Sequence, residues 1–248
     1  MGPRSSVVLR GRLGFAPALA IAALGCTSEG APRPAPERDV LVEFDGVAPN
    51  GTWDAHELAG GFEYEVTPAA LVMHDRAGAN QHVVRRGVAL DPARPYLIEA
   101  LFAIAAPDDG VSPNSFCFNL NVAGSDGDLS PPSTWALNVD LGPGATGGVM
   151  KHMGFVAGAF QQIGEQPISW GERGREYRFR VDVNVDASGL VRPRVVTASV
   201  FDGDVLLERF DVDYSTFSYQ PGGEPVRVGM NTHGTDWTLR ELRVAYLD

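Results

Sequence analysis

Lysine is nearly absent from this chain: Lys151 stands alone against 19 arginines. Acidic residues outnumber basic ones, 31 to 20, and the formal net charge is −11. So acidic a chain lacks the clustered basic surface that binds phosphate backbones, which argues against nucleic acid as a partner. Cysteine is scarce too, with only Cys26 and Cys117. No disulfide framework can staple the fold, so stability must come from a core. Long apolar runs are missing: the uncharged stretch Leu13 to Leu24 falls short of the ~20 residues of a spanning helix, and Pro17 interrupts it. No window carries a helical stripe of useful length. Ready-made chemistry is missing as well. There is no Ser-His-Asp order, no glycine-flanked nucleophile, and no His or Cys spacing that suits zinc.

The N-terminus does carry a message. Arg4, Arg10 and Arg12 precede the apolar stretch, and Ala22-Ala23-Leu24-Gly25-Cys26 follows, after which the chain turns polar. A basic start, a short apolar segment and a small-residue site make an export signal. The end of that segment resembles a bacterial lipoprotein box. The resemblance implies cleavage before Cys26, a diacylglycerol on its thiol, and anchorage to a membrane by acyl chains, each buried CH₂ contributing ~0.8 kcal/mol. Thr27, where an Asp would retain such a protein at the inner membrane, implies the outer membrane or cell surface. Residues 1–25 are then the signal peptide and 26–38 a tether, since "SEGAPRPAPER" is too rich in Pro and charge to build a core. Removing Arg4, Arg10 and Arg12 takes the formal charge from −11 to −14.

Residues 39–248 read as one β domain. In "REYRFRVDVNVD", Tyr177, Phe179, Val181, Val183 and Val185 alternate with Arg178, Arg180, Asp182, Asn184 and Asp186. Period two over this length predicts a half-buried strand at 175–186. Residues 115–122 and 134–141 alternate likewise, whereas 95–104 is apolar on both faces apart from Glu99, as in a central strand. Weaker strands are expected at 39–45, 62–66, 70–75, 80–86, 147–153, 155–161, 194–201, 205–211, 225–231 and 237–247. Asp202-Gly203 predicts a tight hairpin. Many short strands with Gly- and Pro-rich turns imply an all-β, two-sheet antiparallel sandwich. A domain of this length buries roughly 70% of its unfolded surface, enough to need no staple.

The closing section, a long strand, a hairpin at "FDGD" and then "PVRVGMNTHGTDWTLRELRVAYLD", resembles concanavalin A-like jelly rolls, including laminin-G-like and 3-keto-disaccharide hydrolase-like domains. That resemblance implies that 39–46 pairs with 238–247. It does not name a function, because this fold hosts lectins, glycanases, lyases and adhesive modules.

Candidate chemistry is sparse. The Glu-x-Asp-x-x-Glu motif of the glycanase branch is missing; Glu63 and Glu65 share a strand face and are equally well explained as solvated. His56, His152 and His233 are the histidines in suggestive contexts. His152 follows Lys151, a base beside a cation of the kind a sugar lyase needs, but neighbours on a strand point to opposite faces unless the chain bulges. Asp126 and Asp128 offer oxygen ligands for a structural calcium, or form an ordinary Asp-Gly turn. No other cofactor is indicated.

The strongest hint is a surface. If 115–122, 134–141 and 175–186 share a sheet, Asn119, Asn121, Asn138, Asp140, Arg180, Asp182 and Asn184 share its outer face. Fixed amides and carboxylates beside an arginine suit hydroxyl-rich ligands, with His152 at the margin and Trp237 as an aromatic platform. The expectation is an exported, lipid-anchored sandwich that binds carbohydrate on its concave face without chemistry of its own. A hydrolase or lyase acting on an oligosaccharide is the second reading, and an adhesive surface lipoprotein the third. For the anchor, Cys26→Ser should move the protein from the detergent phase to the aqueous phase of a Triton X-114 partition; an unchanged distribution refutes lipidation.

Overall fold

Fifteen strands form among the described residues of the computed structural model, and every pairing between them is antiparallel. The structure describes residues 36–44, 46, 53–56, 62–75, 80–85, 90–91, 93–104, 114–119, 133–141, 147–156, 159–213, 228–233 and 235–247. The larger sheet runs β13 (Val205–Asp213), β12 (Val191–Asp202), β11 (Glu176–Val185), β6 (Tyr96–Ile104), β15 (Trp237–Leu247), β4 (Leu71–Asp75) and β3 (Phe62–Val66), with β1 (Pro36–Glu43) also on β15. The smaller sheet runs β10 (Ala159–Ile168), β9 (Gly148–Val156), β8 (Ser133–Leu141), β7 (Asn114–Asn119), β14 (Gly229–His233), β5 (Asn80–Arg85) and β2 (Trp53–His56). The architecture is the expected all-β jelly-roll sandwich.

The last strand closes the larger sheet. One edge of β15 pairs with β6 from Trp237↔Ile104 to Tyr246↔Tyr96. Its other edge takes β4 at Trp237–Leu239 and then β1, where Asp39 faces Ala245 and Glu43 faces Leu242. The expected pairing of the first strand with the last is therefore present.

Alternation fills the space between the sheets. Tyr177, Phe179, Val181 and Val183 of β11 and Ile98, Phe102 and Ile104 of β6 are buried in one core with Val139, Leu141 and Met150 of the smaller sheet. The rings of Phe102 and Phe179 lie 4.8 Å apart between centroids. Each such side chain contributes ~1.5–3 kcal/mol on burial.

Three local departures have physical reasons. The β12–β13 loop is Gly203-Asp204, because Asp202 pairs with Val205. Gly203 sits at φ 56, so the glycine, which alone tolerates that angle without cost, opens the loop one residue later than Asp202-Gly203 suggests. Strand β2 was not expected; its four residues, among them the buried Trp53, are too few for alternation to register. At Asn184, φ is 59 and the β11–β12 register shifts. This bulge ends the alternation, and Val185 leaves the main core for a separate cluster with Leu97, Ala245 and Leu247.

Asn184 holds its own bulge. Its Nδ2 donates to the Arg94 carbonyl at 3.0 Å, and its Oδ1 accepts from the Arg194 amide at 2.8 Å. Asn184→Ala loses both bonds and places a Cβ residue without compensation at positive φ. The expected destabilisation is about 2–4 kcal/mol in a urea titration, with Asn184→Gly losing less. Equal, negligible losses would show that the bulge is not held by this side chain.

Candidate functional site

The proposed polar patch divides between the two sheets. β7 and β8 belong to the smaller sheet and β11 to the larger. Asn119, Asn138 and Asp140 therefore lie on the opposite side of the sandwich from Arg180, Asp182 and Asn184. Alternation assigns residues to a face of their own strand; it does not say which strands meet, because pairing joins segments far apart in sequence. Asn121 lies outside the described residues, as do Cys26, Asp126 and Asp128.

On the larger sheet the polar residues satisfy one another. Arg180 Nε donates to Asp182 Oδ1 at 2.9 Å, and its Nη2 to the same oxygen at 2.8 Å. Asp182 is almost fully buried. Arg180 also faces Glu99 at 3.6 Å, and Arg243 bridges Glu99 at 3.4 Å and Asp39 at 2.7 Å. The result is a charge ladder Asp182–Arg180–Glu99–Arg243–Asp39 across β11, β6, β15 and β1. The hydrogen bond from Arg243 to Asp39 raises that guanidinium above its ordinary value. These groups lie over the outer side of β6, the central strand whose apolar run the sequence showed on both faces. Asn184 is committed to its bulge. None of the three is free to serve as first expected.

The smaller sheet keeps its part of the patch, and its register extends it. Asn138 pairs with Cys117 on one side and Lys151 on the other. Cys117 pairs with Asn231, Asn231 with His82, and His82 with His56, while Lys151 pairs with Glu165. One row of directly paired positions thus crosses all seven strands: His56, His82, Asn231, Cys117, Asn138, Lys151, Glu165. The next inward row contains Val139 and Met150, both fully buried, so alternation assigns the Asn138 row to the outer face. Asp140 and Asn119 stand one step to either side on that face. Asp140 pairs with Ser115, which in turn pairs with His233. The Lys151 ammonium donates to Asp140 Oδ2, and both side chains are about three-quarters buried, at 26% and 23% exposure. The chain's single lysine is thereby fixed in place on this face. The sequence offered alternation in β5 and β14 but no sign that His82 and Asn231 would join Asn138.

Two further expectations are corrected. His152 is fully buried and packs against Phe210 of the larger sheet, ring centroids 4.3 Å apart. Cross-strand pairing with Leu137 places it on the core side of β9, opposite Lys151. Trp237 is buried at the start of β15, in the core beside Leu239, and is no platform for a ligand. Large apolar surface at both sites favours burial over contact with a hydrated ligand. Glu63 and Glu65 are exposed on β3, an edge strand. Sequence reasoning overlooked His74, opposite Glu63, whose Nδ1 lies 3.1 Å from Asp236 Oδ2. Asp236 Oδ1 also accepts the Asp75 amide at 3.1 Å, so this pair ties the β14–β15 loop to β4.

No family model and no curated protein matches the sequence. Solved structures do match. The legume lectin-like domain from Entamoeba histolytica superposes with a TM-score of 0.58 at 10% identity, covering 86% of this chain and all of that one. The VIP36 exoplasmic/lumenal domain in its Ca²⁺- and mannose-bound form gives a TM-score of 0.57 at 8% identity, over 86% of this chain and 92% of that one. Peanut lectin gives a TM-score of 0.56 at 10% identity, over 83% and 96%. The fold is a legume-lectin-like, concanavalin A-like β-sandwich.

Burial lowers the His152 pKa from 6.5 to about 3. Above pH 6.5 neither state binds this proton. As pH falls toward 3 the unfolded chain takes it up and the folded chain does not, so stability is lost across that window. Between pH 6.5 and 5 the native protein should lose about 2 kcal/mol more than His152→Leu. Superimposable pH profiles in urea titrations would refute a buried neutral imidazole.

Proposed function

We propose that this chain binds carbohydrate on the outer face of the smaller sheet. The observation that carries the proposal is the unbroken polar row from His56 to Glu165, with Asn138 and the tethered Lys151–Asp140 pair at one end. Amides, imidazoles, an ammonium and a carboxylate at fixed strand spacings offer both donors and acceptors, which is what a hydroxyl-rich ligand requires. An acidic surface with one lysine does not suit polyanions. The fold neighbours support the reading: one VIP36 structure is the Ca²⁺- and mannose-bound form and another is the Ca²⁺/Man₃GlcNAc-bound form.

We read the chain as a binding module; on this face the Asp140 carboxylate accepts from Lys151. It is exported and held on a membrane surface through Cys26, which presents the sandwich on a Pro-rich leash. Among the described residues no group of three His, Cys, Asp or Glu could hold a metal. We propose Asp126 and Asp128 as calcium ligands, since their carboxylates suit a hard cation and they lie in sequence between the strands bearing Asn119 and Asn138.

The test is retention of the full chain on immobilised mannose oligosaccharides and a neutral-glycan array. Asn138→Ala and Lys151→Ala should each weaken retention at least tenfold without changing the circular dichroism spectrum, and chelator should weaken it reversibly. Retention untouched by both substitutions would overturn the assignment to this face.

A further inference from the structure

The larger sheet carries a cavity of about 380 Å³, remote from the face assigned above. It lies where the edge of β15 changes partner. β4 pairs as far as Leu239, the register slips before Glu241, and β1 begins at the Glu43–Leu242 pair. A bulge of this kind opens a sheet surface locally. The volume falls within the range of small-ligand sites.

Its walls are built. Arg178 Nη2 donates to Glu241 Oε2 at 3.2 Å, and Arg243 Nη1 to Glu99 Oε2 at 3.4 Å. Glu43, only 3% exposed, lines the cavity and accepts the Trp53 indole N–H at 3.3 Å. Val42 and Leu101 supply apolar surface, and Val42 is 47% exposed. Guanidinium groups held by carboxylates direct their remaining N–H donors at fixed angles, and the carboxylates keep free acceptor positions. The lining sets Arg178 and Arg243 against Glu43, Glu99 and Glu241, and all five already take part in ion pairs or hydrogen bonds. An anion would meet an excess of carboxylate, a cation would have to break pairs already formed, and a purely apolar ligand would leave polar groups unmatched. A neutral sugar ring meets both conditions: hydroxyls for the ion pairs and a C–H face for Val42 and Leu101.

We infer that this cavity is a second saccharide site, so that one molecule holds glycans on both sides of the sandwich. The inference rests on the reading that the ligand is carbohydrate, but not on the face assigned to it. The test is isothermal titration of the full chain with methyl α-mannoside, methyl β-galactoside and cellotriose, each alone. At least one sugar should bind with two sites per chain. Val42→Arg, which fills the cavity from an exposed position, should reduce the stoichiometry from two to one, as should Glu241→Ala, both with unchanged thermal midpoints. Lys151→Ala should remove the other site only. Two sites in both cavity variants, or a single site in the native chain that only Lys151→Ala removes, would overturn the cavity and leave the smaller-sheet reading standing. A single site removed only by Val42→Arg would support the cavity and overturn the smaller-sheet reading. No heat with any of the three sugars would overturn both.

Discussion

The hydrogen-bonded ladder between β15 and β6 is the interaction on which the larger sheet depends. β6 holds β11 on its far edge, and through it the β12–β13 hairpin. β15 holds β1, β4 and β3 on the other side. Without β15 the other seven strands fall into three groups, β13-β12-β11-β6, β4-β3 and β1 alone, and the apolar face of each loses part of its cover. Because β15 pairs with the first described strand, the contacts that close the sheet join segments far apart in sequence; Arg243 and Asp39 are 204 residues apart. Contacts of that separation cost the most loop entropy and slow folding, which follows from topology rather than from any one residue.

The same strand explains how polar groups are distributed on the larger sheet. Arg243 of β15, Glu99 of β6 and Arg180 of β11 occupy neighbouring outer positions across two paired edges. A row that alternates in sign can cover the middle of a sheet without a further protein layer, because each charge has a partner on the next strand. Individual exposed pairs contribute only ~0–1 kcal/mol. Their greater effect is on register: a slip of one residue would turn Glu99 into the core and Ile98 out, and the ladder adds to the hydrophobic penalty against that error. The smaller sheet has no comparable alternation of sign across the Asn138 row, where neutral amides and imidazole-bearing positions predominate.

Local chemistry made much of this fold legible in the sequence. Strands β8 and β11 follow directly from alternation and β6 from a run apolar on both faces, and the pairing of β1 with β15 follows from the resemblance of the closing section. What stayed hidden was partnership between distant segments. Period two placed Asn138 and Arg180 each on an outer face, yet nothing within either strand says that two outer faces point in opposite directions. The bulge at Asn184 was likewise invisible, because its cause is the Arg94 carbonyl 90 residues away. His152 shows the complementary error. Its neighbour Lys151 suggested chemistry, but β9 gives one residue to each face, and the lysine went to the surface while the imidazole went to Phe210.

The two sides of the sandwich thus solve the problem of an outer sheet face differently, and the difference bears on function. The larger sheet pairs charges across its outer face and carries a cavity at the step where β15 exchanges β4 for β1. The smaller sheet carries a continuous polar row from edge to edge. A ligand that displaces water from a self-paired face must match ion pairs already formed, so it gains only where a cavity supplies apolar contact as well. A ligand on the smaller sheet can run along the row and meet one strand about every 4.8 Å. For the glycan proposed above, that periodic spacing favours an extended chain of sugar units over a compact one, because each successive strand offers a further position to each successive residue of the glycan.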